Sequence, residues 1–156
     1  AKNLYFFVRC PAPIVGDGEG DAVRADADRL QVNLTGHLSA GAQTIAADGF
    51  ALGRVFRNLI VNAVQAMDGK GMLIIGIKQV GAKVEVSIKD TGRGIPLDIQ
   101  DKIFDPFFTT KVSGEGSGLG LDIIKRIVED HGATISFEST EGEGATFYVQ
   151  LPITRY

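Results

Sequence analysis

Val84-Glu85-Val86-Ser87-Ile88-Lys89-Asp90-Thr91-Gly92-Arg93-Gly94-Ile95 is the stretch that decides how this chain folds. In its first half Val84, Val86 and Ile88 alternate with Glu85, Ser87 and Lys89, the period of a strand with one buried and one wetter face. The alternation stops at Asp90, and two glycines follow within four residues. A carboxylate fixed at a strand end, beside glycines that let a flat ring approach the backbone, predicts the floor of a cleft. Asp90 can only accept hydrogen bonds, which suits the exocyclic amine of adenine and is mismatched to the carbonyl of guanine. The same residues also fit a turn in which Asp90 serves its own backbone.

Upstream, Leu73–Val80 reads as a second strand, joined to Ala82–Lys89 by a tight turn at Gly81. Before it, Asp48 is placed to cap a helix whose apolar stripe is Leu52, Val55, Phe56, Leu59, Ala63 and Ala66, with Gly69 and Gly71 ending it. Asn58 and Asn62 fall one turn apart at the border of that stripe. Asn62 can offer its side-chain oxygen to Mg²⁺, which keeps several waters and phosphate oxygens and so needs only one or two protein ligands; Asn58 can add a second oxygen or hold a metal-bound water. Both asparagines also serve as an ordinary polar helix border. Further back, Leu30–Leu34 alternates like a half-buried strand, and Gln43–Ala46 reads as a second short one. Residues 1–29 read as an extra strand at Leu4–Val8 and a connection rich in proline and glycine, leading into one folded unit over 30–156.

Downstream, a short helical stretch is expected around Leu97–Ile103, followed by Phe104-Asp105-Pro106-Phe107-Phe108-Thr109-Thr110-Lys111. Residues 112–118 are small and polar, the composition of a mobile lid. Gly116-Ser117-Gly118-Leu119-Gly120 then opens an amphipathic helix marked by Leu121, Ile124, Ile127 and Val128, where free N–H groups can meet phosphate oxygens. It lacks the strand–helix setting of a dinucleotide fingerprint and the Gly-Lys-Ser/Thr ending of a Walker A loop, and it serves equally as a flexible connection. Lys111, at the root of the lid, can reach a terminal phosphate or remain a solvated lysine. Phe104, Phe107 and Phe108 can anchor the lid, offer a docking surface or enter the core. His131 ends the helix and His37 falls in a loop; neither has catalytic context. Strands at Thr134–Glu138 and Ala145–Leu151, turning at Gly142 and Gly144, finish the chain.

At 156 residues, 44% hydrophobic and 22% charged, the chain suits one domain with a substantial core. Sixteen basic against nineteen acidic residues give a net charge of −3 and no cationic footprint for nucleic acid or an anionic membrane. A single cysteine, Cys10, and two separated histidines form neither a disulfide framework nor a zinc set, which fits a cytoplasmic setting.

The helix bearing Asn58 and Asn62, Asp90–Ile95, Phe104–Lys111 and the glycine-rich Gly116–Gly120, in this order, resemble the N, G1, F and G2 boxes of sensor histidine kinases, a branch of the gyrase, chaperone, kinase and mismatch-repair ATPase superfamily. The likeness spans about residues 30–152 and ends in Gly142-Glu143-Gly144-Ala145-Thr146-Phe147; the wording of 62–67 and 104–111 is similar to the nitrogen-regulation type. It implies an α/β two-layer sandwich of the Bergerat type, a mixed sheet covered on one face by helices, binding ATP and Mg²⁺. By position it implies that Asn62 is the metal ligand with Asn58 supporting the shell. Asp90 would bind the adenine amine, with Gly92, Gly94 and Ile95 along the base. Gly116, Gly118, Leu119 and Gly120 would border the phosphates, Lys111 would join the catalytic set, and Thr146 would help fix Asp90 and an adenine-linked water. Where the family often has Gly-Gly, this chain has Gly132-Ala133.

Hydrolytic members of the superfamily carry a glutamate at the position of Asn58, and an amide cannot take a proton from water, so transfer is favoured over hydrolysis. Neither histidine has the context of a phosphoacceptor. The resemblance therefore implies a catalytic domain that phosphorylates a histidine on a separate helical dimerisation domain, with a response regulator as indirect partner and a full-length protein compatible with a membrane anchor. Alternative readings are a pseudokinase that binds ATP and signals without transfer, and a gyrase-like ATPase.

Overall fold

The computed structural model of the protein describes residues 47–68, 70–111 and 120–153, and the backbone of 32–38. The alternating stretch forms β3 at the centre of a five-stranded sheet. In chain order the elements are β1 (Val32–Leu38), α1 (Gly49–Ala66), β2 (Gly71–Val80), β3 (Lys83–Asp90), α2 (Leu121–Asp130), β4 (Thr134–Thr140) and β5 (Gly144–Pro152). The spatial order is β1-β2-β3-β5-β4, with β1 parallel to β2 and the other pairs antiparallel. This is the expected mixed sheet.

Strand pairing places Leu73 opposite Asp90, Ile75 opposite Ile88 and Ile77 opposite Val86, so β2 and β3 present one continuous apolar face. Val149 and Leu151 of β5 extend it, and Leu52, Val55, Phe56 and Leu59 of α1 pack on it with Ile124 and Val128 of α2. Both helices therefore cover the same face, which gives two layers. The opposite face is more polar and mostly exposed, with Met72, Ile74 and Val80 of β2 as its apolar members. Glu85 is its exception: only 8% exposed, it accepts from Gln150 Nε2 at 2.8 Å and pairs with Lys78 Nζ at 3.2 Å, so a carboxylate on the wetter face is desolvated by its own partners.

Helix α1 starts where Asp48 predicts, the carboxylate accepting from the N–H groups of Phe50 and Ala51 at 2.9 and 3.2 Å. It ends earlier than Gly69 and Gly71 suggest. The N–H groups of Met67 and Asp68 tighten onto the carbonyls of Val64 and Gln65, and Asp68 takes the left-handed conformation at φ 49°. An aspartate tolerates that region better than most residues, so no glycine is needed there.

Two further expectations change. Residues 97–103 form successive turns, with N–H groups bonding three residues back, as Ile99 to Pro96 and Lys102 to Ile99, instead of a helix. The first strand runs on to Leu38, so His37 lies in β1 opposite Gly76 and not in a loop. Strands at Leu4–Val8 and Gln43–Ala46 fall outside the described residues, as does the segment 112–119. Among the described residues, no helix is long and apolar enough to cross a membrane.

Candidate functional site

A cleft of about 770 Å³ opens between the end of α1, the turn after β3, the segment Phe107–Lys111, the start of α2 and the start of β5. Asn62, Asp90, Gly94, Ile95, Lys111 and Gly120 all line it, so residues far apart in the sequence meet in one cavity. Its size is that of a site for a nucleotide-sized ligand.

Asp90 sits at the floor, 4% exposed. Its Oδ1 accepts from the N–H of Gly92 at 2.9 Å and of Ala145 at 3.3 Å. Burial pushes its carboxyl above the usual 3.8, and the two backbone donors, with the more distant Arg93, oppose that rise without cancelling it. An acceptor-only group is thus held in a dry place by the backbone, with a charge that a donor in the cleft would relieve.

The glycines after Asp90 act differently from the expectation. A side chain on Gly92 would put its Cβ 2.3 Å from the carbonyl oxygen of Ala66, and one on Gly94, at φ 69°, would lie 2.3 Å from the carbonyl oxygen of Thr140. Gly92 is not part of the cleft wall, whereas Gly94 is. Both are required first because protein backbone passes against protein backbone there, locking the turn between α1 and the β4–β5 hairpin. The lock has further bolts: Arg93 N–H donates to Ala66 O at 3.0 Å, Gly142 N–H to Arg93 O at 2.7 Å, and Ile95 N–H to Ser139 Oγ at 2.8 Å.

Thr146 does not reach Asp90. On β5 it pairs with Lys89 and Glu138, and strand alternation sends its side chain to the face away from the helices, while Ala145 and Phe147 line the cleft. The link from β5 to Asp90 is the N–H of Ala145. One residue along a strand reverses the face, so the hydroxyl that the resemblance implies at 146 points away while the backbone of residue 145 meets Asp90.

The two asparagines part company as well. Asn62 lines the cleft; Asn58 is buried, lies outside the cleft wall, and donates its Nδ2 to Arg54 O at 2.7 Å. A position one turn back on α1 has rotated away from the opening, so this arrangement brings one asparagine oxygen to a ligand, and Asn58 braces the helix. Lys111 does reach the site: its Nζ donates to Asn62 Oδ1 at 2.9 Å and to Gln65 Oε1 at 2.6 Å. Gly120, the N-cap of α2, faces the cleft with no side-chain cap of its own. Gly116, Gly118 and Leu119 lie outside the described residues.

Phe104 packs edge-on to Phe137 at 5.9 Å with Lys125 over its ring, anchoring the loop to α2 and β4. Phe108 lines the cleft, and Phe107 is 98% exposed at φ 63°, a conformation that non-glycine residues adopt at a cost. Gln65, Ala145 and Ser139 escaped sequence reading. Gln65 sits three residues after Asn62 on the same helical side, a spacing that was available as a signal; the other two act through backbone contacts or across strands and leave none.

A family model described as histidine kinase-, DNA gyrase B- and HSP90-like ATPase matches residues 47–155. This chain belongs to that family. Within it, the chain is 41% identical over 131 residues to the sensor histidine kinase ZraS of Escherichia coli strain K12, and 43% identical over 126 residues to the signal transduction histidine-protein kinase AtoS of the same strain. Those matches cover 84% and 80% of this chain but only 28% and 20% of the two kinases, so the chain spans less than a third of either. The nucleotide-free catalytic domain of the histidine kinase ThkA superimposes with a TM-score of 0.79 at 30% identity, covering 96% of this chain and 92% of that one. Full-length ShkA in complex with AMPPNP superimposes with a TM-score of 0.71 at 27% identity, covering 94% of this chain and 32% of that one. The fold is that of a histidine-kinase catalytic domain, and the family is one of ATP-binding domains.

Proposed function

We propose that this chain is the nucleotide-binding, phosphoryl-donating part of a larger sensor histidine kinase, acting on a histidine of a separate helical dimerisation domain. One observation carries the reading: a buried acceptor, Asp90, and a cation-binding amide oxygen, Asn62, face the same cleft, as the base and phosphates of one nucleotide require. Asp90 accepts from the adenine amine, and Gly94 and Ile95 flank the base. Asn62 is the residue that would hold Mg²⁺, whose charge would neutralise the phosphates when bound. The uncapped N-terminus of α2 at Gly120 directs free N–H groups toward phosphate oxygens, with the glycine-rich residues 116–119 preceding it. Lys111 brings a cation to the same end. Asn58, buried and engaged with Arg54, is neither a base nor near the opening, which supports transfer over hydrolysis. Catalysis in this reading is positioning and charge neutralisation, and the nucleophile arrives on another domain, from which a response regulator is served in turn.

The test is reconstitution with γ-labelled ATP. Alone, the chain is expected to release phosphate negligibly and to carry no stable label. Adding a cognate helical phosphoacceptor domain, whether from the same full-length protein or from another polypeptide, should place the label on a histidine of that domain, and Asn62→Ala should abolish the transfer. Label that never leaves ATP in the presence of that domain would favour the pseudokinase reading, and rapid phosphate release by the chain alone would favour a gyrase-like ATPase.

A further inference from the structure

Lys111 enters the cleft from the segment after Phe108, and its ammonium is held by two amide oxygens of α1, Asn62 Oδ1 at 2.9 Å and Gln65 Oε1 at 2.6 Å. Asn62 and Gln65 are three residues apart, so their side chains rise from neighbouring positions on one side of the helix. Oxygens gathered around a positive centre are what a metal site also provides. Asn62 Oδ1 is the same oxygen assigned to Mg²⁺ in the function proposed above. A magnesium ion sits about 2.0–2.1 Å from an oxygen ligand. An ammonium kept at its present distance from that oxygen would lie within a few ångströms of a doubly charged ion, and the two repel.

We infer that Lys111 and the divalent cation compete for Asn62 Oδ1, and that Gln65 is a positioning residue that holds the lysine at the site. The inference rests on the assignment of the metal to Asn62. Its consequences run in opposite directions. Without a divalent cation, Lys111 supplies positive charge at this end of the cleft and helps bind phosphate. With one, the lysine must leave Asn62 before the metal settles, and its three donors then turn to the phosphates or remain on Gln65. The contact between residue 111 and α1 thereby depends on the metal, and Gln65 sets how tightly the lysine is kept.

ADP is the probe, because it lacks the terminal phosphate that would reward a displaced lysine. Binding of ADP to the full chain is measured by calorimetry in EDTA and across a Mg²⁺ titration. Lys111→Met should weaken ADP binding in EDTA and lower the Mg²⁺ concentration for half-effect by about two- to fivefold, the worth of a partly exposed charged contact. Gln65→Leu should lower that concentration in the same direction by less, while leaving the lysine able to bind phosphate in EDTA. A purely structural role would weaken binding in both conditions and leave the Mg²⁺ midpoint where it is. Asn62→Ala should remove the Mg²⁺ dependence altogether. If that dependence survives Asn62→Ala, the metal assignment fails. If it is lost there, yet neither Lys111→Met nor Gln65→Leu lowers the midpoint, the assignment stands and the competition is refuted.

Discussion

The two ends of the cleft are built from different materials. Around Asp90 the contacts are backbone: N–H groups of Gly92 and Ala145 on the carboxylate, with Gly92 and Gly94 pressed on the carbonyls of Ala66 and Thr140. Around Asn62 the contacts are side chain to side chain, with Lys111 reaching across on a flexible stem to Asn62 and Gln65 of α1. Backbone locks tie α1, β3 and the β4–β5 hairpin into one unit and hold their geometry without a ligand, so that end suits the choice of base. Side-chain contacts exchange partners at small cost, so the other end suits a cation and phosphates that arrive and leave. The first end is preorganised, and the second is built to be rearranged.

The largest effect should come from attacking the lock. Gly92→Ala forces a Cβ against the Ala66 carbonyl, where no flexible side chain can yield. It should cost about 3 kcal/mol, lowering the melting temperature by about 2–4 °C for each kcal/mol, and ATP affinity should fall with it. A melting temperature within a degree of the parent's would show that the backbone end is looser than its contacts indicate.

Asp90→Asn separates function from stability at the same end. The amide keeps an oxygen for the N–H groups of Gly92 and Ala145 but meets the adenine amine with the wrong pattern, so ATP affinity should fall by about 100-fold, the worth of a buried mismatched polar pair. Stability should rise. Because the folded-state pKa lies above 3.8, owing first to burial, the native protein binds this proton more tightly than the unfolded chain does. The contribution of Asp90 to stability is therefore fully present below pH 3.8 and is lost as pH rises through the folded-state pKa, leaving the desolvation cost at neutral pH. Melting curves of parent and variant should converge toward acid and separate toward neutrality, with the variant higher. ATP affinity of the parent should run the opposite way, falling as acid protonates the carboxylate. A variant less stable than the parent at neutral pH would contradict the account of a buried, costly charge.

Much of this arrangement was legible in the sequence. The alternation of Val84, Val86 and Ile88 fixed β3 and its covered face, the cap at Asp48 placed α1, and the strand-end position of Asp90 put a carboxylate at the floor of a cleft. What escaped was whatever depends on side-chain direction or on contacts distant in the chain. Helical spacing placed Asn58 and Asn62 near one border, but the actual rotation of α1 against the sheet buries one and opens the other. The role that the resemblance implies for Thr146 does not hold, because the register of β5 on β3 turns that side chain to the face away from Asp90. The reason for Gly92 and Gly94 was also hidden: the close approach is to Ala66 and Thr140, far away in sequence, and no local pattern announces it.

Smaller effects sharpen the comparison by leaving both ends of the cleft alone. His131, at the end of α2, accepts the Asp48 N–H on Nε2 at 3.1 Å and donates from Nδ1 to Ile127 O at 2.7 Å, so it ties the cap of α1 to α2. His131→Ala should cost about 1 kcal/mol by thermal denaturation, with the preference for ATP over GTP unchanged. A lost preference would mean that the helix packing, and not the lock around Asp90, sets the base site. Lys125→Ala removes an exposed contact with Glu129 at 3.8 Å and the cation over Phe104. It should change stability by less than about 1 kcal/mol in denaturant titration, and a larger loss would make the Phe104 anchor a principal support of the cleft.

The measurement that bears most directly on the whole account is calorimetric titration of this chain with Mg²⁺-ATP and Mg²⁺-GTP under identical conditions. Asp90, buried and fixed by backbone donors, predicts that ATP binds and that GTP binds about 100-fold more weakly, since the guanine carbonyl would face a carboxylate. Equal affinities for the two nucleotides, or an Asp90→Asn variant that holds ATP as tightly as the parent, would contradict it.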